Sequence, residues 1–461
     1  MSSYLTSIAG SGTGQYPVDA SGQPWMFRGD FCWSLVTNSG QGGSGGGTWQ
    51  QDMTNYLSAR AGQGFNQVYC DIVNCTSLGG PNDNGETFDG QIPFTSGVVG
   101  NLNNTYWDRV DYLVSTAASY GMTCMLNVAP SEVFGAGCVF ASATTGQCTS
   151  YGTALASRYG SAPNIWWAFG DDYFGSNDAE YTAILDALRA GGDTHLCSIE
   201  NFTETDARYY AYNGSENTWG YDNAQVNWVY TYNASYVLVE YAYTEPSPVC
   251  VALLDGYWDN GTDFMRNLAW WALSSGSRGQ NYGNAGTISY TQPGFISDLS
   301  GDTDGINQGT YWSVLAGLNN WWKLVPDTSS VLVTAGRGTH LTPIASDGTP
   351  YSGGNTYVTA GLAPDGSLAV IYNPAANTQT ITVNGALMQA GYTATWVDPA
   401  SGAKTPATIG ATYTRSTANS VGEHDWLLVL QGPAAVTVPP VPLGASPLNR
   451  PVTVPFFAGR R

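Results

Sequence analysis

Tyr151 to Asp172 reads YGTALASRYGSAPNIWWAFGDD. The first ten residues carry apolar side chains at helical spacing, Gly160 and Pro163 interrupt it, and the short apolar run NIWWAFG then reads as a strand. That run closes on Asp171 and Asp172. A helix feeding a strand that ends in carboxylates is one repeat of an alternating β/α architecture.

Working outward, the same alternation runs from about residue 24 to 325. The apolar runs are WMFRGDFCW, FNQVYCDIV, MTCMLNVAP, NIWWAFGDD, HLCSIEN, VNWVYTY, VCVALLD and GQNYG. Helical stretches lie between them: TWQQDMTNYLSARAGQG, YWDRVDYLVSTAASYG, YGTALASRYG, AEYTAILDALRAGG and DFMRNLAWWALSSGS, with GINQGTYWSVLAGLNNWWKLV last. Eight runs imply parallel βαβ units closed into a (β/α)8 TIM barrel over residues 24–326. After Pro326 strands recur without helices: SVLVTAG, TYVTAGLA, LAVIYNP, QTITVNG, YTATWVDP, ATYTR and WLLVLQ. Residues 327–432 therefore read as an all-β antiparallel sandwich. Residues 1–23 form an N-terminal extension. Residues 433–461 form a proline-rich extended tail without an acid, read as an arm for a protein partner or as a frayed terminus.

Composition narrows the function. The net charge is −20, and 35 acids face only 15 Lys and Arg, which excludes a nucleic-acid backbone binder. No apolar run is long enough for a membrane span. Charged residues are only 11% of a chain with 16 Trp and 29 Tyr, so the expected ligand is an uncharged polar one, carbohydrate first. A strongly acidic polysaccharide is disfavoured. No secretory signal is seen at the N-terminus. The expected location is extracellular or virion-associated, with cytoplasmic as the alternative.

A barrel carries its reactive groups at the C-terminal ends of its strands. Reading the end of each run gives Asp30 and Trp33, Asp71, Asn127, Asp171 and Asp172, Glu200, Tyr232, then Asp255, Trp258 and Asp259, and finally Tyr282 and Asn284. Carboxylates, aromatics and amides without a basic cluster are the equipment of glycoside hydrolysis. A protonated acid donates to the leaving oxygen, a second carboxylate attacks carbon or activates water, and aromatic faces pack on the sugar. Asp172 and Asp255, on strands four and seven, face each other across the mouth and form the expected catalytic pair. The other residues are expected to bind substrate.

No cofactor is called for. His195, His340 and His424 are too scattered for a metal site, and SDLSGDTDG lacks the Glu of a calcium loop. Cys138 and Cys148 bracket a polar loop and are expected to form a disulfide. Cys70, Cys124, Cys197 and Cys250 lie in apolar runs and read as buried thiols. Gly40 to Gly47 lacks a phosphate-loop ending and reads as a loop at the mouth, serving as a lid.

GDFCWSL (29–35), RAGQGFNQV (60–68), YWDRVDYLVSTAASYGM (106–122), the 151–172 stretch, DTHL (193–196) and MRNLAWWALSSGSRGQNYGNAGTISY (265–290) follow in order the pattern of apiosidase-like barrels. The chain resembles that family, which includes glycoside hydrolase family 140. APDGSLAVIYNP, ATWVDPASGA and HDWLLVL resemble the collagen-binding-type domain that usually follows such barrels. The resemblance implies Asp172 as general acid/base, Asp255 as nucleophile of a retaining mechanism, Asp259 as the closing acid of the same motif, and Asp30 with Trp33 as a sugar-binding pair. It implies a pentofuranoside substrate, apiose- or arabinofuranose-like. Two positions depart from the pattern: Asp255 stands for Glu, and Glu200 for His. The departures leave open a different sugar, an inverting mechanism, or binding without turnover. The alternative reading is a non-catalytic glycan-binding or structural module, such as a phage tail protein, which as a depolymerase would be both.

Overall fold

The computed structural model describes residues 4–41, 47–210, 215–258, 261–288, 299–341 and 355–433. Asp259, most of the glycine-rich 40–47 stretch and the proline-rich tail beyond residue 433 lie outside the described residues.

All eight expected runs are strands of one sheet: β1 (Phe27–Phe31), β2 (Gln67–Asp71), β3 (Thr123–Pro130), β4 (Ile165–Tyr173), β5 (Cys197–Asn201), β6 (Val226–Tyr230), β7 (Cys250–Asp255) and β8 (Gly279–Tyr282). Sequential neighbours from β1 to β5 and from β6 to β8 pair in parallel, and β8 pairs with β1. The β5–β6 seam is bridged by Gln225 N to Cys197 O (3.1 Å) and Ser198 Oγ to Val226 O (2.7 Å). Above that seam the short strand Thr205–Asp206 runs antiparallel to β6. A helix follows each strand, with a four-residue one (Leu35–Asn38) preceding the first of them: α1 (Trp49–Gly62), α2 (Asn104–Ser119), α3 (Thr145–Tyr159), α4 (Asp178–Ala190), α5 (Thr218–Asn223), α6 (Tyr236–Ala242), α7 (Thr262–Ser274) and α8 (Thr303–Ala316). Polar caps start several of them, including a Thr144/Gln147 capping box on α3 and Asp302 on α8. The last expected helix is shorter than its pattern. It stops at Gly317, and Trp321–Lys323 forms a separate 3-10 turn after Asn320, whose φ is 70°.

Inward side chains stack in layers. Phe27 meets Trp166 near the base (5.1 Å between ring centroids). Gly29 lies in the next layer because any Cβ there would stand 1.9 Å from Asn281 Oδ1, the acceptor for Gln67 Nε2 (2.8 Å). Phe31, Tyr69 and Trp228 close the layer beneath the mouth at 4.9 and 5.6 Å. The N-terminal hairpin, Leu5–Ala9 with Tyr16–Asp19, seals the opposite end. Gln15 accepts hydrogen bonds there from Cys250 N (3.0 Å) and Arg278 Nε (2.9 Å).

The C-terminal domain packs a six-stranded antiparallel sheet on a three-stranded one. Its strands are β9 (Val325–Pro326), β10 (Val333–Ala335), β11 (Thr359–Leu362), β12 (Leu368–Asn373), β13 (Ile381–Val383), β14 (Thr393–Val397), β15 (Lys404–Ala407), β16 (Thr412–Tyr413) and β17 (Trp426–Gln431). Val325–Pro326 already pairs with β11. Alternation splits the large sheet. Ala369, Ile371, Leu428 and Leu430 fill the sandwich, whereas Leu368, Val370, Leu427 and Val429 join the barrel's core. The joint is α7. Arg266 pairs with Asp425 (2.8 Å), and Trp270 and Trp271 donate to Pro399 O (3.0 Å) and Tyr357 O (3.1 Å). The accessory domain is thus fixed to the barrel flank.

The expected disulfide is corrected. Cys138 and Cys148 are free thiols. Cys148 is buried on α3, and the sulfur neighbouring Cys138 is that of Cys75. Flanking a polar loop gave proximity in sequence only. Cys70, Cys124, Cys197 and Cys250 are buried as expected.

Candidate active site

The mouth is shaped by irregular strand ends. The β3–β4 register shifts between Asn127 and Pro130, and the β4–β5 register shifts between Gly170 and Tyr173. Asp171 and Asp172 thus leave the ladder as a bulge, which re-aims side chains. Gly170, Asp171 and Asp172 have φ of 85°, 92° and 45°. Two successive non-glycine residues in this region carry strain of about 1–3 kcal/mol each. Gly170 has no alternative, because a Cβ would meet Glu200 O at 2.2 Å. Asn127 Nδ2 donates to Gly170 O (3.3 Å) and Ser131 Oγ donates to Asp171 O. The bulge buries Asp171 and leaves Asp172 exposed.

Five carboxyls gather around that bulge, with Asp172 at their outer edge. Asp71, Asp171, Glu200 and Asp255 are buried, and Glu132 is half-buried on the turn after β3. Burial lifts Asp71 and Asp171 well above the usual carboxyl range. The charge of Glu132 adds to both. Burial lifts Glu132 itself to about 7, with Asp172 adding. Burial raises Glu200 well above its usual value, followed by the charges of Asp171 and Asp255. Asp255 is pushed up to about 7 by burial, while Glu200, the Gly256 N–H (2.6 Å) and Trp258 hold it down. Glu200 and Asp255 lie within hydrogen-bonding reach of each other. Desolvation also raises Asp172, opposed by the Tyr230 hydroxyl. No Lys or Arg is among the principal influences on these groups. The cluster therefore holds exchangeable protons near neutral pH.

Aromatics flank it. The Tyr230 and Tyr232 hydroxyls are 2.9 Å apart, and Glu204 positions Tyr232 by accepting from its N–H at 2.6 Å. Trp33 meets Trp258 edge-on at 5.3 Å. Trp258 lies flat against Gly283, where a Cβ would come within 2.5 Å of the indole. Asn127 donates to Tyr69 Oη (2.7 Å) under the acids.

Two expected sugar ligands sit elsewhere. Asp30 is clamped by Arg60 (2.6 Å), and Arg60 also pairs with Asp302 (2.8 Å), which accepts from the Tyr282 hydroxyl (2.7 Å). This buried network ties β1, α1, β8 and α8 together and occupies Asp30 and Tyr282 structurally. Asn284 shapes the turn after β8 by accepting from Gly286 N (2.9 Å). Of the expected residues, the mouth gathers Asp71, Asn127, Asp171, Asp172, Glu200, Tyr232, Asp255 and Trp258. Trp33 joins them through Trp258. Glu132 was missed because it follows its strand by two residues; its PSE turn was the available signal. Among the described residues, no three His, Cys, Asp or Glu side chains are disposed to hold a metal.

The family model of the apiosidase-like catalytic domain matches residues 11–323. Among solved structures, a protein named as a glycoside hydrolase superposes with TM-score 0.70 at 18% identity, covering 93% of this chain and 97% of its own. A glycoside hydrolase family 5 protein from Bacteroides vulgatus ATCC 8482 gives TM-score 0.71 at 18% identity, covering 93% of this chain and 95% of that one. At these identities the superpositions speak for the fold. Among curated proteins, none matches the chain.

Proposed function

The chain belongs to the apiosidase-like family of catalytic domains, which makes it an O-glycosyl hydrolase by relationship, and from that premise we propose that it cleaves a neutral glycan at a pentofuranoside, apiose- or arabinofuranose-like. The carrying observation is the carboxyl cluster at the C-terminal end of the barrel, flanked by indoles and phenols, with no described Lys or Arg among the principal influences on it. Asp172, exposed on the β4 bulge, protonates the leaving oxygen. Asp255, at the end of β7, attacks the anomeric carbon and forms a glycosyl ester. Asp172 then takes a proton from water, whose oxygen displaces Asp255. Glu200, within hydrogen-bonding reach, lowers Asp255 and so favours the carboxylate form of the nucleophile. Trp33, Trp258 and Tyr232 contact the sugar. A surface without basic clusters near the acids favours an uncharged substrate.

Incubation with arabinan, arabinogalactan and apiose-bearing pectin fragments, followed by chromatography, tests the reading. Release of a pentose is the expected result. Proton NMR of the first-formed anomer reports retention. Inversion would reassign Asp255 as the base that activates water, and an inert panel would overturn the substrate class.

A further inference from the structure

Phe174 is 61% exposed, the most exposed of the large apolar side chains that stand out of the surface, and its ring stacks on Phe202 at 4.2 Å with a 36° tilt. Phe202 is half-buried, and neither ring belongs to the barrel's hydrophobic core, so the pair stands at the surface. Its position follows from the end of β4. Tyr173, the last residue of the strand, is buried and packs on Tyr181 of α4 at 5.1 Å. Phe174 is the first residue beyond the strand, directly after the bulge that carries Asp172. On β5, Asn201 is buried in bonds to Asp206 O and Asn217. Phe202 is the first residue beyond β5, two residues after Glu200. The parallel pairing of Tyr173 with Asn201 brings the two rings together. Both rings stand at the C-terminal ends of β4 and β5, two residues beyond Asp172 and Glu200 in the chain. The indoles of Trp33 and Trp258, on the ends of β1 and after β7, lie across the mouth.

The roles proposed for Asp172 and Asp255 give these two aromatic groups different partners. The acid must reach the leaving oxygen, so the leaving group lies on the side of β4. The sugar attacked by Asp255 lies on the side of β7. We propose that Phe174 and Phe202 form the platform for the leaving group, taking a flat ring with an apolar face: a neighbouring sugar or an aromatic aglycone. This inference rests on the proposed hydrolase reading and adds its leaving-group specificity. No Lys or Arg is among the principal influences on the adjoining acids, in keeping with an uncharged ring.

The test uses Phe174→Ala and Phe202→Ala with three arabinofuranosyl substrates that differ only in what leaves: fluoride, 4-nitrophenolate and the rest of an arabinotriose. Removing a ring–ring contact is expected to lower kcat/KM about tenfold where a ring leaves. Fluoride release should stay within twofold of wild type. A loss confined to the triose supports a sugar on the platform, and a loss confined to the nitrophenyl glycoside supports an aryl aglycone. Unchanged values for all three, or an equal loss on all three including fluoride, overturn the platform. If the wild type cleaves none of them, the proposed pentofuranosidase reading fails. Calorimetric titration with arabinotriose then decides the platform separately: weaker binding by Phe174→Ala supports it, and equal affinity overturns it.

Discussion

Two groups of buried carboxyls share one end of this barrel, and they differ in company. Asp30 and Asp302 face Arg60, and Asp30 also accepts from Tyr56. Asp71, Glu132, Asp171, Glu200 and Asp255 face chiefly one another. Burial raises Asp30 too, but Arg60 and Tyr56 limit the rise to about 6. Without such a cation burial raises Asp71, Asp171 and Glu200 well above the usual carboxyl range, and neighbouring acids add to the rise. The same side chain is a structural tie where an arginine neutralises it and a proton carrier where none does. Residue type and strand position do not separate these fates; the partner does.

The sharpest way to break this comparison is Asp172→Asn. It should lower kcat by about 10²–10⁴ on the glycan that the panel identifies, the usual loss for a general acid. Its circular dichroism and melting temperature should match wild type, because the side chain is exposed. Undiminished turnover would return Asp172 to a bystander of the bulge. Arg60→Met attacks the other group. It leaves Asp30 and Asp302 facing each other without a cation, and urea titration should show a loss of about 3–5 kcal/mol. A loss below ~1 kcal/mol would mean that the network does not hold the fold.

The two groups also predict a pH dependence. Asp255 and Glu132 titrate near 7 when folded, against about 3.9 and 4.3 when unfolded. The folded chain binds their protons more tightly, so stability contributed by protonation is full below about pH 4. The share of these two is lost as pH rises through about 7, and Asp71, Asp171 and Glu200, raised in the same direction, add to the fall. Asp30 adds a narrower component that ends near 6. Denaturation midpoints from pH 4 to 8 should fall along this window, with a shallower slope in Asp255→Asn. A slope unaffected by that substitution would place the titrating groups elsewhere. The smallest expected effect is Cys138→Ser. A partly exposed free thiol should cost within about 0.5 kcal/mol, whereas breaking a disulfide would cost about 2–5 kcal/mol.

The fold was open to reading because barrel strands are short apolar runs and their helices have one buried face. All eight runs became β1 to β8, and the seven helix-free strands after Pro326 became β10 to β14, β16 and β17. Val325–Pro326 and Lys404–Ala407 escaped notice, being edge strands with too little apolar pattern. At the mouth, strand-end position placed Asp71, Asp171, Asp172, Glu200 and Asp255 in one cluster. It could not show that Arg60, thirty residues along, claims Asp30, or that Asp302 claims Tyr282 through a turn beyond β8. Nor could it show which of Asp171 and Asp172 is buried, since the bulge is a matter of register between β4 and β5. Glu132 lay beyond the strand ends that were read.

The central claim is that the carboxyl lacking a cation at the end of β7 performs chemistry. Turnover of the identified glycan by Asp255→Asn, measured beside its melting temperature, tests it most directly. The predicted result is a loss of about 10⁴-fold or more in kcat with melting no lower than wild type, because the substitution removes a buried charge that nearby acids oppose. Activity within tenfold of wild type, or a chain that no longer folds, would contradict it.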